Sequence, residues 1–123
     1  IFKILFEHEI VNADAKTRSK EFLEVNKLSK SKEEFFVKYI DGYLENEKDL
    51  VVNIKKHLKG WTYERLGVVE KVLLKMSFYE IVNCKIGHEI VINEAVEIAK
   101  IYGDVKTKNF INGILADLVE EMR

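Results

Sequence analysis

Two dipeptides, His8-Glu9 and His88-Glu89, open the pattern H-E-x-x-H. In a zinc protease that pattern sets two histidines one helical turn apart as ligands, with the glutamate as general base. Here the closing positions are Asn12 and Ile92, which cannot ligate zinc in that role, so the pattern fails twice. His57 stands among Lys55, Lys56 and Lys59 and reads either as a solvated residue or as one of a helix's C-terminal turn. The single cysteine, Cys84, has no partner for an internal disulfide and sits in an apolar helical pattern, where it is a packing residue. Glu64, Glu70, Glu80, Glu94 and Glu97 are spread along helical segments and read as solvated faces. The sequence contains no Cys/His cluster with metal spacing, no glycine-rich phosphate loop and no nucleophile elbow. The expectation is a protein that is not an enzyme and needs neither cofactor nor metal.

What remains is a surface for binding. Between Lys100 and Lys108, the lysines at 100, 106 and 108 outnumber Asp104, and Tyr102 and Phe110 flank them. A helix beginning at Thr107 would add free N–H groups beside those lysines, a combination suited to phosphate contact and base stacking. Spacing alone favours the plainer reading of a solvated turn, because a phosphate site needs several converging donors and both aromatics fall near core stripes. Asn112, next to Gly113, either bridges within the core or points to a ligand.

The elements that would position these residues are helical throughout. With 123 residues, 47% of them hydrophobic and 33% charged, the chain fits one soluble domain with a core of useful size. No apolar run approaches the ~18 residues of a membrane span and no signal-peptide pattern is visible, so the expected address is cytoplasmic. The lone cysteine agrees with a reducing compartment. A formal charge of -1 means that any nucleic-acid site must be local. Ile1 is not a methionine and the first residues already carry a helical pattern, so the natural chain is expected to begin upstream.

Phe2, Leu5, Phe6 and Ile10 keep helical spacing in a first helix to about residue 11, broken at Asn12 to Asp14. A short second helix, Thr17 to Val25, would bury Phe22 and Leu23. Ser31 with Glu34 forms a capping box for a long third helix. Its stripe includes Phe36, Tyr39, Ile40, Tyr43, Leu50 and Ile54, with Glu47 the one polar interruption, and Gly60 follows as a C-cap. A fourth helix capped by Thr62 is apolar on more than one face up to Asn83, as a central core helix must be. The fifth starts near Asn93 and ends at Gly103, and the sixth is capped by Thr107. Gly113 costs about 1 kcal/mol of propensity inside the sixth helix, which predicts close packing against a neighbouring helix as compensation.

Four segments occur in order: Trp61-Thr62-Tyr63-Glu64-Arg65-Leu66-Gly67, Leu74 to Glu80, Val91-Ile92-Asn93-Glu94-Ala95 continuing to Lys100, and Phe110-Ile111-Asn112-Gly113-Ile114-Leu115. Together they resemble the NusB family of bacterial transcription antitermination factors, over essentially the whole chain and most strongly from Trp61 to Leu118. The I-N-E-A and F-I-N-G elements are the specific part. The resemblance implies an all-α fold, a single domain over residues 1–123 with about six helices in two packed subdomains, and a non-enzymatic role. It implies pairing with NusE, a small-subunit ribosomal protein, and joint binding of the single-stranded boxA element of nascent ribosomal RNA, so that RNA polymerase reads through terminators. Dimerisation occurs in some members, so a homodimer stays open.

Carried over residue by residue, the resemblance implies an RNA surface at Tyr102, Lys106, Thr107, Lys108 and Asn112, and a partner surface at Phe6, Glu70 and Lys75. Some members carry an acid where this chain has Lys106, and the lysine would raise phosphate attraction. Family members usually begin with an arginine-rich segment that this sequence lacks at its start. The alternatives are a helical accessory domain of a ribosomal RNA methyltransferase, against which the length speaks, and a protein-only helical adaptor whose lysine turn is merely solvated.

Overall fold

The structure, a computed structural model, describes residues 1–12 and 14–123. Six α-helices and no strand occur among the described residues, as the helical periodicity requires. They are α1 (Phe2–Val11), α2 (Ala15–Val25), α3 (Lys30–Lys56), α4 (Val68–Phe78), α5 (His88–Tyr102) and α6 (Val105–Glu121). The chain divides into two compact units, Ile1–Glu47 and Lys48–Arg123.

In the first unit α1 stops at Asn12, whose backbone is left-handed (φ 53°), a conformation asparagine tolerates better than most residues. Of the predicted break from Asn12 to Asp14, Ala13 lies outside the described residues. Asp14 caps α2 by accepting from the Lys16 N–H at 3.1 Å and the Thr17 hydroxyl at 2.7 Å, so α2 starts at Ala15, two residues before the expected Thr17. Its buried residues are small: Ala15 and Ser19, the latter donating to the Ala15 carbonyl. Phe22 is not buried as expected; it is partly exposed and stacks on Phe36. The capping box expected at Ser31 is also displaced, because Ser29 Oγ accepts from the Lys32 N–H and α3 begins at Lys30. Glu47, the polar interruption of the α3 stripe, has a physical reason: its carboxylate lies 3.1 Å from His8 Nε2.

The second unit is built around α4. Residues Val72 through Tyr79 are buried without a break, which is what apolar side chains on every face of a helix demand. A π-helical turn, Tyr79–Asn83, extends α4 to the expected end. Its start differs: Thr62 precedes only a 3₁₀ turn, Tyr63–Arg65, and Glu70 reaches back to accept from the Gly67 N–H at 3.2 Å at the true helix start. Similarly α5 begins at His88, five residues before Asn93. Helices α5 and α6 form a hairpin through Gly103 and Asp104, and both pack on α4.

One long-range cluster was invisible in sequence. His57 follows the last residue of α3, as the C-terminal-turn reading has it, but it is not solvated: it is 2% exposed, with its Nδ1 2.7 Å from Asp117 Oδ2 and its ring edge-on to Phe78. Its Nε2 lies 3.0 Å from Glu121 Oε2 without a hydrogen bond between them. The last turn of α6 is thereby tied to the segment that follows α3.

Candidate nucleic-acid interface

The α5–α6 hairpin owes its tight turn to Gly103. A Cβ there would lie 2.8 Å from the Thr107 side chain, so any larger residue would force α6 away. Asp104 then caps α6: its Oδ1 accepts from the Thr107 N–H at 2.9 Å and from the Thr107 hydroxyl at 3.1 Å. These two bonds, the backbone one first, hold the Asp104 carboxyl below its ordinary range. Thr107 is therefore not the cap, as expected from sequence, but the residue being capped. The physical consequence matters for binding, because a carboxylate already occupies the position that a phosphate would take at this helix N-terminus.

The lysines diverge from that cap into two hollows. Lys108, half-buried, lines a hollow of about 390 Å³ with Lys100, Asp104 and Val105. Lys100 is itself held at 3.1 Å by Glu97 on the α5 surface. Lys106 is exposed and faces a separate hollow of about 490 Å³. There it joins Trp61, Asn109, Phe110, Gly113 and Ile114. Trp61 is 59% exposed and meets Phe110 edge-to-face at 5.0 Å between ring centroids.

Gly113 lies at this opening, and a Cβ built on it would meet nothing within 4 Å. The expectation of close helix packing at Gly113 is thus overturned; the glycine exposes bare helix backbone to solvent instead. Trp61 and Asn109 are residues that sequence reasoning missed. The available signal was a tryptophan outside every helical stripe, in a turn just after Gly60.

The remaining site residues scatter. Tyr102 is 43% exposed at the end of α5 and Asn112 is exposed on α6, yet neither lines either hollow. Of the expected partner surface, Phe6 belongs to the first unit, half-buried with its ring 5.7 Å from Phe2. Glu70 is engaged as the α4 cap described above. Lys75 is buried, 3% exposed, inside the continuous run of α4, so its ammonium is not on the outer surface where a partner would first meet it. Among the described residues, no helix is long and apolar enough to cross a membrane, and no group of three His, Cys, Asp or Glu is placed to hold a metal ion.

A family model described as the NusB family matches residues 1–120. The chain belongs to the NusB family. The transcription antitermination protein NusB of Sulfurovum sp. (strain NBC37-1) is 39% identical over 112 residues, covering 91% of this chain and 86% of the relative. The NusB of Wolinella succinogenes aligns over all 123 residues at 29% identity and 91% of its own length. A crystal form of T. maritima NusB superposes with a TM-score of 0.84 at 35% identity, covering 98% of this chain and 85% of that one. A crystal structure of the antitermination factors NusB and NusE in complex with double-stranded RNA contains a chain that matches at TM-score 0.86 and 26% identity, over 98% of this chain and 90% of its own. These NusB relatives are transcription antitermination proteins, a regulatory rather than an enzymatic role.

Proposed function

We propose that this NusB-family chain acts in transcription antitermination in the cytoplasm, as a single RNA-binding domain that binds boxA-type RNA together with a NusE-like ribosomal protein. The carrying observation is the surface beside the hairpin turn. Lys106 supplies a phosphate contact, Trp61 and Phe110 supply faces for unpaired bases, and Gly113 leaves room for a nucleotide to approach the backbone. Lys108, Tyr102 and Asn112 extend the contact area along the same hairpin, and Thr107 contributes by orienting the turn through Asp104.

Charge explains why a partner is needed. The chain's total is -1 and the α6 N-terminus already holds its own carboxylate, so few cations are free for phosphates. Each phosphate neutralised on a single strand contributes a slope of about -0.7 in log affinity against log salt. A site with one or two lysine contacts therefore binds weakly alone and gains from a second protein that adds contacts. Phe6 and Glu70 are candidate positions for that partner.

The test is a fluorescence-anisotropy titration of boxA-like RNA, with and without NusE, at two salt concentrations. Binding is expected to tighten with NusE and weaken with salt. Equal weak binding to scrambled RNA in every arm would leave the protein-only adaptor.

A further inference from the structure

The far end of α6 carries another hollow, of about 470 Å³, that RNA binding at the hairpin does not use. Its floor is aliphatic, made by Ile81, Val82, Ile86, Val119 and Met122. Its rim is basic: Lys85, His88 and Arg123. The backbone is specially arranged to form it. After the π-helical turn Tyr79–Asn83, Lys85 takes a left-handed conformation (φ 55°), which costs an ordinary residue on the order of 1 kcal/mol. The chain is held there by the Ile86 N–H donating to the Glu80 carbonyl at 3.0 Å. Met122, the adaptable member of the floor, remains 54% exposed.

We infer that this hollow docks an acidic segment of a protein partner, anchored by one or two bulky apolar side chains. Charge complementarity points to the acid: among the described residues no carboxylate side chain lines the hollow, whereas Lys85 and Arg123 are cationic in a chain whose total is -1. Arg123 pairs with Glu120 across 3.7 Å, both largely exposed, so a better-placed carboxylate can displace that pair. The floor points to protein rather than nucleic acid, because it is built of aliphatic side chains and no Trp, Tyr or Phe among the described residues lines the hollow. Val119 lies thirteen residues beyond Lys106 on α6, about 20 Å at 1.5 Å per residue, so RNA and this segment can be held at once. None of Phe6, Glu70 and Lys75 lines the hollow, which separates it from the proposed NusE-binding residues.

The probe is a short fluorescein-labelled peptide with leucines at i, i+4 spacing and glutamates elsewhere, titrated into the whole chain. Binding is expected to shift backbone amide NMR signals at residues 81–88 and 119–123 while leaving 104–113 in place. Lys85→Glu is expected to weaken it about tenfold. Met122→Glu, on an exposed side chain, repeats the test should Lys85→Glu fail to fold, and circular dichroism establishes folding for both. Three outcomes overturn the inference: equal binding of the peptide with lysines in place of its glutamates, shifts confined to the hairpin, or unchanged affinity in a folded variant. Self-association in sedimentation that Met122→Glu abolishes would also overturn it, by assigning the hollow to a second copy of the chain.

Discussion

The two ends of α6 have the same backbone and opposite characters. At its start, Asp104, Lys106 and Asn109 are exposed, an open tryptophan stands nearby, and Asp104 caps the helix. At its end, Asp117 and Glu121 close on a histidine that solvent scarcely reaches. Polar side chains at the closed end hold the fold, and those at the open end are available to a ligand. A substitution should therefore change stability at one end and RNA affinity at the other, and a variant whose effect crossed over would break that division.

The largest effect belongs to the closed end. His57→Ala removes a buried ring from Phe78 and takes from Asp117 its 2.7 Å partner, leaving it Lys59 at 3.5 Å. Losing the packing and the hydrogen bond together costs about 2 to 3 kcal/mol, after allowance for the partial exposure of the acid. Thermal unfolding followed by circular dichroism should show a midpoint lowered by about 10 °C. RNA affinity measured well below that midpoint should be unchanged. A normal midpoint would mean that the cluster does not tie α6 down.

Trp61→Ala is the counterpart at the open end. Stacking of a base on an aromatic ring is worth about 1 to 3 kcal/mol by alanine substitution, so RNA binding should weaken roughly tenfold. The midpoint should move little, since the side chain is 59% exposed. A large loss of stability with intact RNA affinity would make the Trp61–Phe110 contact a structural one.

Gly113→Ala separates the two roles within one residue. With nothing within 4 Å of the added methyl, the helix should gain up to about 1 kcal/mol. If the open backbone is where a nucleotide approaches, affinity for RNA should fall while stability rises. Higher stability with unchanged affinity would remove Gly113 from the interface.

How far the sequence revealed these ends follows from the range of the interactions involved. The α3 stripe and the all-round apolar α4 were legible because helix periodicity is local and repeated many times. The caps were not: Ser29 and Ser31, or Asp104 and Thr107, are equally competent residues a turn or less apart, and tertiary packing decides where the helix begins. His57 misled because its lysine neighbours are adjacent in sequence while its carboxylate partner Asp117 is sixty residues away. At Gly113, helix propensity registers the cost of a missing side chain and says nothing about what fills the space. In the site, Lys106 and Lys108 stood out by charge, whereas Trp61 joins them only through the fold.

The smallest effect is the sharpest test of what the open end is for. Asp104→Asn keeps a side-chain oxygen that can accept from the Thr107 N–H, because asparagine caps helices about as well as aspartate. It removes the negative charge that competes with phosphate beside Lys106 and Lys108. RNA affinity should rise a few-fold at low salt, with the gain shrinking as salt screens it. The acid limb of stability supplies an independent check. The folded-state pKa of Asp104 is depressed, chiefly by the bond from the Thr107 N–H, so its contribution is present above the unfolded pKa and is lost as pH falls through the folded value. The asparagine variant should lose less stability than the parent over that interval. A flattened acid limb with no gain in RNA affinity would confine Asp104 to capping and move the phosphate contacts away from the α6 N-terminus.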